Sequence, residues 1–268
     1  MLISVQDLEM LETESLEQNK DSGRKGMDKS KGMHFMRTSE QLFAIMSLCT
    51  KLPYVRCDEE TFDDEILLFS DEKEAKEEAE MLQKTKNPVG IAKIENQNLL
   101  GFYSSLFAMG VNALRFKMAG EDAVVVQLTE LVKRPEDGKL PSGKPRIENP
   151  AFHLTAIYFM QIMRSGQERQ EELKALNEEL SAHFQEGSYL LAVGENNQVP
   201  ILKQKDGKAY QPIFTDLQEF MKFNRENKLH AFAVNPAKLP ELLSKEVSGV
   251  AVNPLGVNVI LQISRKDN

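Results

Sequence analysis

Apolar residues along this chain fall into short runs at two spacings, one helical and one strand-like, and the same succession of runs occurs twice. Thr38-Ser39-Glu40-Gln41 fits a capping box, and Leu42, Phe43, Ile45, Met46 and Leu48 follow at helical spacing, which predicts a helix from Thr38. Glu65-Ile66-Leu67-Leu68-Phe69 reads as a strand. Ser70 then reads as the N-cap of a helix whose first turn carries Asp71 and Glu72 at the positive end of its dipole. Residues 89–94 form a buried-strand pattern, 99–108 a helix, 110–116 a strand and, after a turn at 119–122, 123–128 another strand.

Residues 134–148 mix Pro, Gly, Lys and Ser without apolar periodicity and mark a linker. Asn149 as N-cap and Pro150 at the first helical position open a helical stretch over 149–186, with Gly166 its weakest point. Tyr189-Leu190-Leu191-Ala192-Val193 and Val199-Pro200-Ile201-Leu202, joined by Gly194-Glu195-Asn196-Asn197, read as a hairpin.

From there the second half repeats the first. Ile213-Phe214-Thr215-Asp216 matches Leu68-Phe69-Ser70-Asp71, each a strand ending on Phe before a hydroxyl cap and an Asp. Ala231-Phe232-Ala233-Val234-Asn235 matches residues 90–94, residues 239–243 match the helix after Leu99, and Gly249-Val250-Ala251-Val252-Asn253 matches residues 110–114. Both copies close on an apolar strand, 123–128 and 257–262. The offset drifts from 145 residues at Asp71 and Asp216 to 139 at Gly110 and Gly249, the kind of change surface loops absorb. The expected fold is α/β, with α+β open: two tandem diverged copies of a small mixed-sheet domain with helices packed on the sheet. The predicted boundaries are a disordered tail at 1–33, a first domain at 34–133, the linker, the helical segment 149–186 and a second domain at 187–268. The two sheets should match strand for strand. Met27, Met33 and Met36 leave a later translation start open.

The second copy resembles the SseB family, in that family's N-terminal domain. The residues that carry the likeness are 189–193, 199–202, Pro212-Ile213-Phe214-Thr215, and Gly249-Val250-Ala251-Val252-Asn253-Pro254 with its apolar strand. The likeness covers residues 187–262, and reaches 52–128 only through the internal repeat. In the first copy Leu114-Arg115 stands where the second has Asn253-Pro254, which implies loss there of any function of that loop. The family has no agreed enzymatic activity or cofactor, so the resemblance implies a fold and a regulatory or interaction role.

Composition narrows the classes further. At 268 residues with a formal charge of −8, the chain lacks the basic excess that phosphate backbones select, so no nucleic-acid partner is expected. No apolar run reaches the roughly 20 residues of a membrane-spanning helix, and no signal-peptide pattern follows Met1, which points to the cytoplasm. Cys49 and Cys57 match no redox or zinc spacing and read as reduced thiols.

Chemistry is sparse. His34, His153, His183 and His230 fall in no metal pattern, and no nucleophile stands beside a base in sequence. No Gly-rich phosphate cradle occurs. The acidic runs 71–80 and Glu59, Glu60, Asp63, Asp64 lack the spacing of a calcium loop. No catalytic residue, cofactor or metal is assigned. What remains as a candidate binding loop is Asn253, Pro254 and Gly256 with Asn235 and Pro236, because strand ends on α/β sheets form ligand crevices. The alternative is that Asn and Pro serve there as turn residues. The leading expectation is a non-enzymatic interaction or regulatory protein with a protein partner, a homo-oligomer being open. The other expectation is a small-molecule sensor or an enzyme using the 253–256 loop. An unpaired sheet edge or apolar patch would favour the first, and a convergent polar pocket the second.

Overall fold

The computed structural model describes residues 28–134, 146–195, 198–204, 207–244 and 246–263. The first half runs α1 (Lys29–Thr38), β1 (Gln41–Ser47), β2 (Val55–Cys57), β3 (Asp64–Phe69), α2 (Glu72–Lys84), β4 (Val89–Glu95), α3 (Asn96–Ala108), β5 (Ala113–Lys117), β6 (Val124–Gln127) and α4 (Leu128–Leu131). Helices α5 (Pro150–Ser165) and α6 (Gln170–Glu186) follow. The second half runs β7 (Tyr189–Val193), β8 (Leu202–Lys203), β9 (Ala209–Phe214), α7 (Leu217–Phe223), β10 (His230–Val234), a 3-10 turn (Pro236–Lys238), α8 (Leu239–Leu242), β11 (Gly249–Val252) and β12 (Val259–Gln262).

The two sheets have the same strand order. One is β4-β1-β3-β5-β6 with β2 on β3, the other β10-β7-β9-β11-β12 with β8 on β9. In each, the β3/β5 or β9/β11 pair is parallel and the other pairings are antiparallel, so both sheets are mixed. The fold is α/β with two similar sheet units. Ile66, Leu114 and Phe116 of the first sheet, Ile213, Val250 and Val252 of the second, and Phe152, Ile157 and Met160 of α5 share one buried cluster. Helix α2 covers the other face of the first sheet through Ala75 and Ala79, and α7 that of the second through Phe220.

Several sequence expectations change. The helix predicted from Thr38 is a strand: α1 ends at Thr38, and β1 pairs with both β3 and β4. Leu42, Phe43, Ala44 and Ile45 are all buried, so the strand is apolar on both faces, and an unbroken apolar run satisfies helical and strand spacing alike. Thr38 donates its hydroxyl to the His34 carbonyl at the end of α1, whose N-cap is Asp28. The predicted tail therefore ends before residue 28, since 29–33 are helical and Gly32 is buried; residues 1–27 lie outside the described residues. The predicted linker at 134–148 falls largely on 135–145, also outside them. Gly166 does break the helical stretch, at φ +73, separating α5 from α6.

The hairpin expected between residues 189–193 and 199–202 does not form, since β7 pairs with β9 and β10 while β8 pairs with β9. The counterpart of β7 in the strand order is β1, Gln41–Ser47. Nor are Ser70 and Thr215 the caps: Asp71 accepts from the Glu74 N–H, and Asp216 from those of Gln218 and Glu219. Register also moves one repeat match. Leu68 pairs with Phe116 and Ile213 with Val252, so Ala113 rather than Gly110 is the counterpart of Gly249. Lys117 and Met118, not Leu114 and Arg115, then stand opposite Asn253 and Pro254 in the repeat. Gly110 instead ends α3 at φ +81, where a Cβ would lie 2.6 Å from the Pro150 carbonyl.

The repeat exposes one local flaw. Gln211 is fully buried on the same strand face as Ile213, and neither amide atom has a partner. Its counterpart is Ile66, also fully buried. Gln211→Ile is expected to raise stability by about 1–2 kcal/mol, because a buried amide without partners gives up its hydration for nothing. Denaturant unfolding checks this; a variant less stable than the parent refutes the repeat-based substitution.

Candidate functional site

Strands β9 and β11 are parallel neighbours, so their C-terminal ends lie side by side and deliver Thr215, Asp216 and Asn253 to one place. Helix α5 brings His153 to the same point. His153, Thr215, Asp216 and Asn253 are all buried.

Donor and acceptor chemistry orients this cluster. The Thr215 N–H can only donate, so the Asn253 atom 3.0 Å from it is Oδ1. Asn253 Nδ2 therefore faces Thr215 Oγ1 at 2.8 Å and His153 Nε2 at 3.5 Å, donating to both. The Thr215 hydroxyl passes its own hydrogen to Asp216 Oδ2 at 2.7 Å. His153 Nδ1 lies 3.2 Å from the Ala108 carbonyl, an acceptor, so Nδ1 carries the ring hydrogen. Asp216 Oδ1 caps α7 through the N–H groups of Gln218 and Glu219 at 2.9 and 3.0 Å. Burial pushes the Asp216 carboxyl up. The His153 ring, the Thr215 hydroxyl and the Glu219 N–H outweigh it and hold the group below the usual carboxylate range.

The cluster thus ties three parts of the chain together: the strand ends of the second module, α5, and the C-terminal residue of α3. Asn149 adds a second tie at the start of α5. It makes no side-chain cap; its amide donates to the Ser188 and Thr215 carbonyls at 2.6 and 2.9 Å and accepts from the Ser188 N–H at 3.0 Å.

Chemically, the arrangement differs from a nucleophile and its base. A nucleophilic hydroxyl must give its proton to the imidazole and be reachable by substrate. Thr215 is fully buried, its hydrogen points at Asp216, and the imidazole nitrogen nearest it, at 3.3 Å, already carries a hydrogen for Ala108. Among the described residues no group of three or more His, Cys, Asp or Glu side chains is placed to hold a metal.

Beside the cluster lies a cavity of about 170 Å³ between the modules. Met46, Phe102 and Met109 line it from the first module and Asp216, Glu219 and Lys222 from the second, with His153 contributing from α5. Glu219 is buried, pairs with Lys222 through Oε1, and has no partner at Oε2.

The predicted loop residues are only partly joined. Asn253 points inward and takes φ +48, Pro254 is half-buried, and Gly256 is buried, its missing Cβ position 2.9 Å from Glu219 Oε2. Asn235 and Pro236 lie elsewhere: β7 and β9 stand between β10 and β11, and Asn235 caps the 3-10 turn by accepting from the Ala237 N–H at 2.9 Å. Spacing alone does not connect His153 with Asp216. A signal for Glu219 does exist in the repeat, because Phe69-Ser70-Asp71-Glu72-Lys73-Glu74 and Phe214-Thr215-Asp216-Leu217-Gln218-Glu219 share Phe, a hydroxyl, Asp and Glu at the same offsets. In the first module Glu74 accepts from the Gly120 N–H and lies 3.7 Å from Lys117.

Among the described residues no helix is long and apolar enough to cross a membrane. No family model matches the chain, and no curated protein matches it. Two solved structures are similar. Anabaena Tic22, described as a protein of protein transport, shares 12% identity at a TM-score of 0.22, over 84% of this chain and 93% of that one. Tic22 from Plasmodium falciparum shares 13% identity, also at a TM-score of 0.22, over 80% of this chain and 89% of that one.

Proposed function

We propose that this chain is a non-enzymatic, SseB-like interaction protein of the cytoplasm whose second module binds another protein through its outer sheet edge. The observation that carries this reading is β10. It is an edge strand of the second sheet, its first four residues, His230, Ala231, Phe232 and Ala233, are exposed, and Phe232 keeps 55% of its surface in solvent. Exposed strand edges without charge are templates for strand addition by a partner. The resemblance of residues 187–262 to the SseB family supports a regulatory role, and the charge of −8 supports a partner other than nucleic acid.

Phe232→Lys tests the reading, since it charges the edge while touching a side chain already in solvent. Immobilised parent is expected to retain a partner that the variant releases by about tenfold or more, with melting points within about 2 °C of each other. Equal retention by both removes β10 from the interface and overturns the reading.

The inter-module cavity supports a second reading, a small-molecule sensor. Its test is a metabolite screen by thermal shift: a ligand that raises the parent's melting point but not that of Glu219→Gln would establish the cavity as its site.

A further inference from the structure

On the wall of the inter-module cavity most buried polar groups are already engaged. His153 gives its Nδ1 hydrogen to the Ala108 carbonyl and faces Asn253 Nδ2 through Nε2 at 3.5 Å. Asp216 is engaged at both oxygens, Oδ1 by the N–H groups of Gln218 and Glu219 and Oδ2 by the Thr215 hydroxyl. Ser105 donates to the Phe102 carbonyl at 2.6 Å. Glu219 differs. It is 3% exposed, its Oε1 pairs with Lys222, and its Oε2 is buried without a partner. Oε2 lies against Gly256, where a Cβ would stand 2.9 Å away, so no side chain at that position covers it. A buried carboxylate oxygen in this state is satisfied only by a group that brings hydrogens.

The first module shows the equivalent carboxylate with an ammonium supplied from the sheet. Glu74 is the counterpart of Glu219, three residues after the Asp that caps the helix in each copy. Its Oε1 accepts from the Gly120 N–H at 3.3 Å and lies 3.7 Å from Lys117 Nζ. Register makes Lys117 the counterpart of Asn253, and Gly120 and Gly256 each stand three residues further on. In the second module the strand-end ammonium is thus replaced by an amide turned toward Thr215, and the lysine at Oε1 comes from α7 itself. Glu74 Oε2 is also unpartnered, so what sets the second module apart is the lost strand lysine and the cavity that Glu219 borders.

The remainder of the wall fits an apolar body. Met46, Leu52, Pro53, Phe102 and Met109 line it, and its volume of about 170 Å³ slightly exceeds the roughly 150 Å³ at which an apolar cavity admits benzene. Its two buried carboxylates, Asp216 and Glu219, are matched by one half-exposed Lys222, while the other lysine on the wall, Lys51, is exposed.

We infer that the cavity takes a small primary amine, with its ammonium on Glu219 Oε2 and an apolar body about the size of one six-membered ring against Met46, Phe102 and Met109. This inference rests on the sensor reading above and names its ligand class.

The test is calorimetric titration of the full chain with benzylamine, benzyl alcohol and benzoate, three probes of similar size that differ in charge. Benzylamine is expected to bind the parent saturably with a Kd on the order of 0.1–1 mM. Benzyl alcohol should bind about tenfold more weakly, and benzoate not measurably. Glu219→Gln keeps the shape of the wall and removes its charge. Benzylamine should then weaken about tenfold, to the level of benzyl alcohol, while benzyl alcohol itself stays within about threefold. Ser105→Leu fills the cavity from α3 without touching Glu219 and should abolish binding of both; melting curves of the unliganded variants confirm that they are folded. Benzylamine no tighter on the parent than the other two probes overturns the inference without recourse to any variant. Benzylamine binding that survives Glu219→Gln or Ser105→Leu overturns it as well. If benzoate or benzyl alcohol binds best and Ser105→Leu abolishes it, the amine class fails while the sensor reading stands. If no probe binds, the inference fails, and an empty metabolite screen then removes the sensor reading too.

Discussion

Asn253→Ala should destabilise the protein by about 3 kcal/mol, a fall in melting temperature of roughly 6–12 °C for a chain of this size. Two independent effects add. Asn253 sits at φ +48, where a non-Gly, non-Asn residue costs about 1–2 kcal/mol. Its amide also satisfies the buried Thr215 N–H and lends hydrogens toward Thr215 Oγ1 and His153 Nε2, so truncation strands a buried donor at about 1–3 kcal/mol. Asn253→Gly separates the two: it accepts the backbone conformation and loses only the amide, so it should fall between the parent and Ala. Thermal and urea unfolding of the three proteins check this. If Ala and Gly variants both melt with the parent, the cluster around His153 does not hold α5 to the second sheet. The same cluster gives a pH trend. Asp216 titrates below the usual carboxylate range in the folded protein, so its contribution is present above the unfolded carboxylate value and is lost as pH falls through the lowered folded one.

Gly249→Ala should be comparably damaging, at about 3 kcal/mol, although it adds one methyl group to a strand. A Cβ at Gly249 would stand 2.0 Å from the Leu261 carbonyl oxygen and 2.9 Å from the Gln262 Cα. Both are backbone atoms of β12, so no side-chain rotation relieves the contact; the β11/β12 ladder, in which Gly249 faces Gln262, must separate there. The counterpart Ala113 faces Gln127 in the first sheet and is fully buried. Ala113→Gly should therefore cost only about 1 kcal/mol, from backbone entropy and a lost methyl. Unfolding free energies for the pair give the check, and a Gly249→Ala protein within about 1 kcal/mol of the parent would mean that β12 yields freely at that point.

The duplication was legible because its signals are local. A strand ending on Phe, then a hydroxyl and an Asp, occurs at Phe69 and at Phe214, and the chain has to leave the strand and cap a helix at both. Gly166 was legible as a break for the same reason, since an αL helix end needs little beyond the glycine. Residues 41–47 were not legible as a strand: every one of Leu42 to Ile45 is buried, so the run lacks the polar alternation that separates strand from helix. The β7/β8 hairpin failed in a different way. Tyr189–Val193 is a strand, but of residues 199–202 only Leu202 enters one, and which neighbour each strand takes is set by β9, later in the chain.

What the sequence determined by itself is therefore the repeated order of strand, capped helix, strand and closing strand pair, because capping, turn chemistry and apolar content act over a few residues. Register, strand partners and the inward turn of Asn253 belong to the tertiary structure. Pairing Ile213 with Val252 makes Lys117 the counterpart of Asn253, and only the approach of α5 puts His153 beside Asp216. The exposure of β10 is decided there too. Its five residues read as an ordinary buried strand, and it is the shortness of the helix after it, together with its place at the sheet edge, that leaves Phe232 facing solvent.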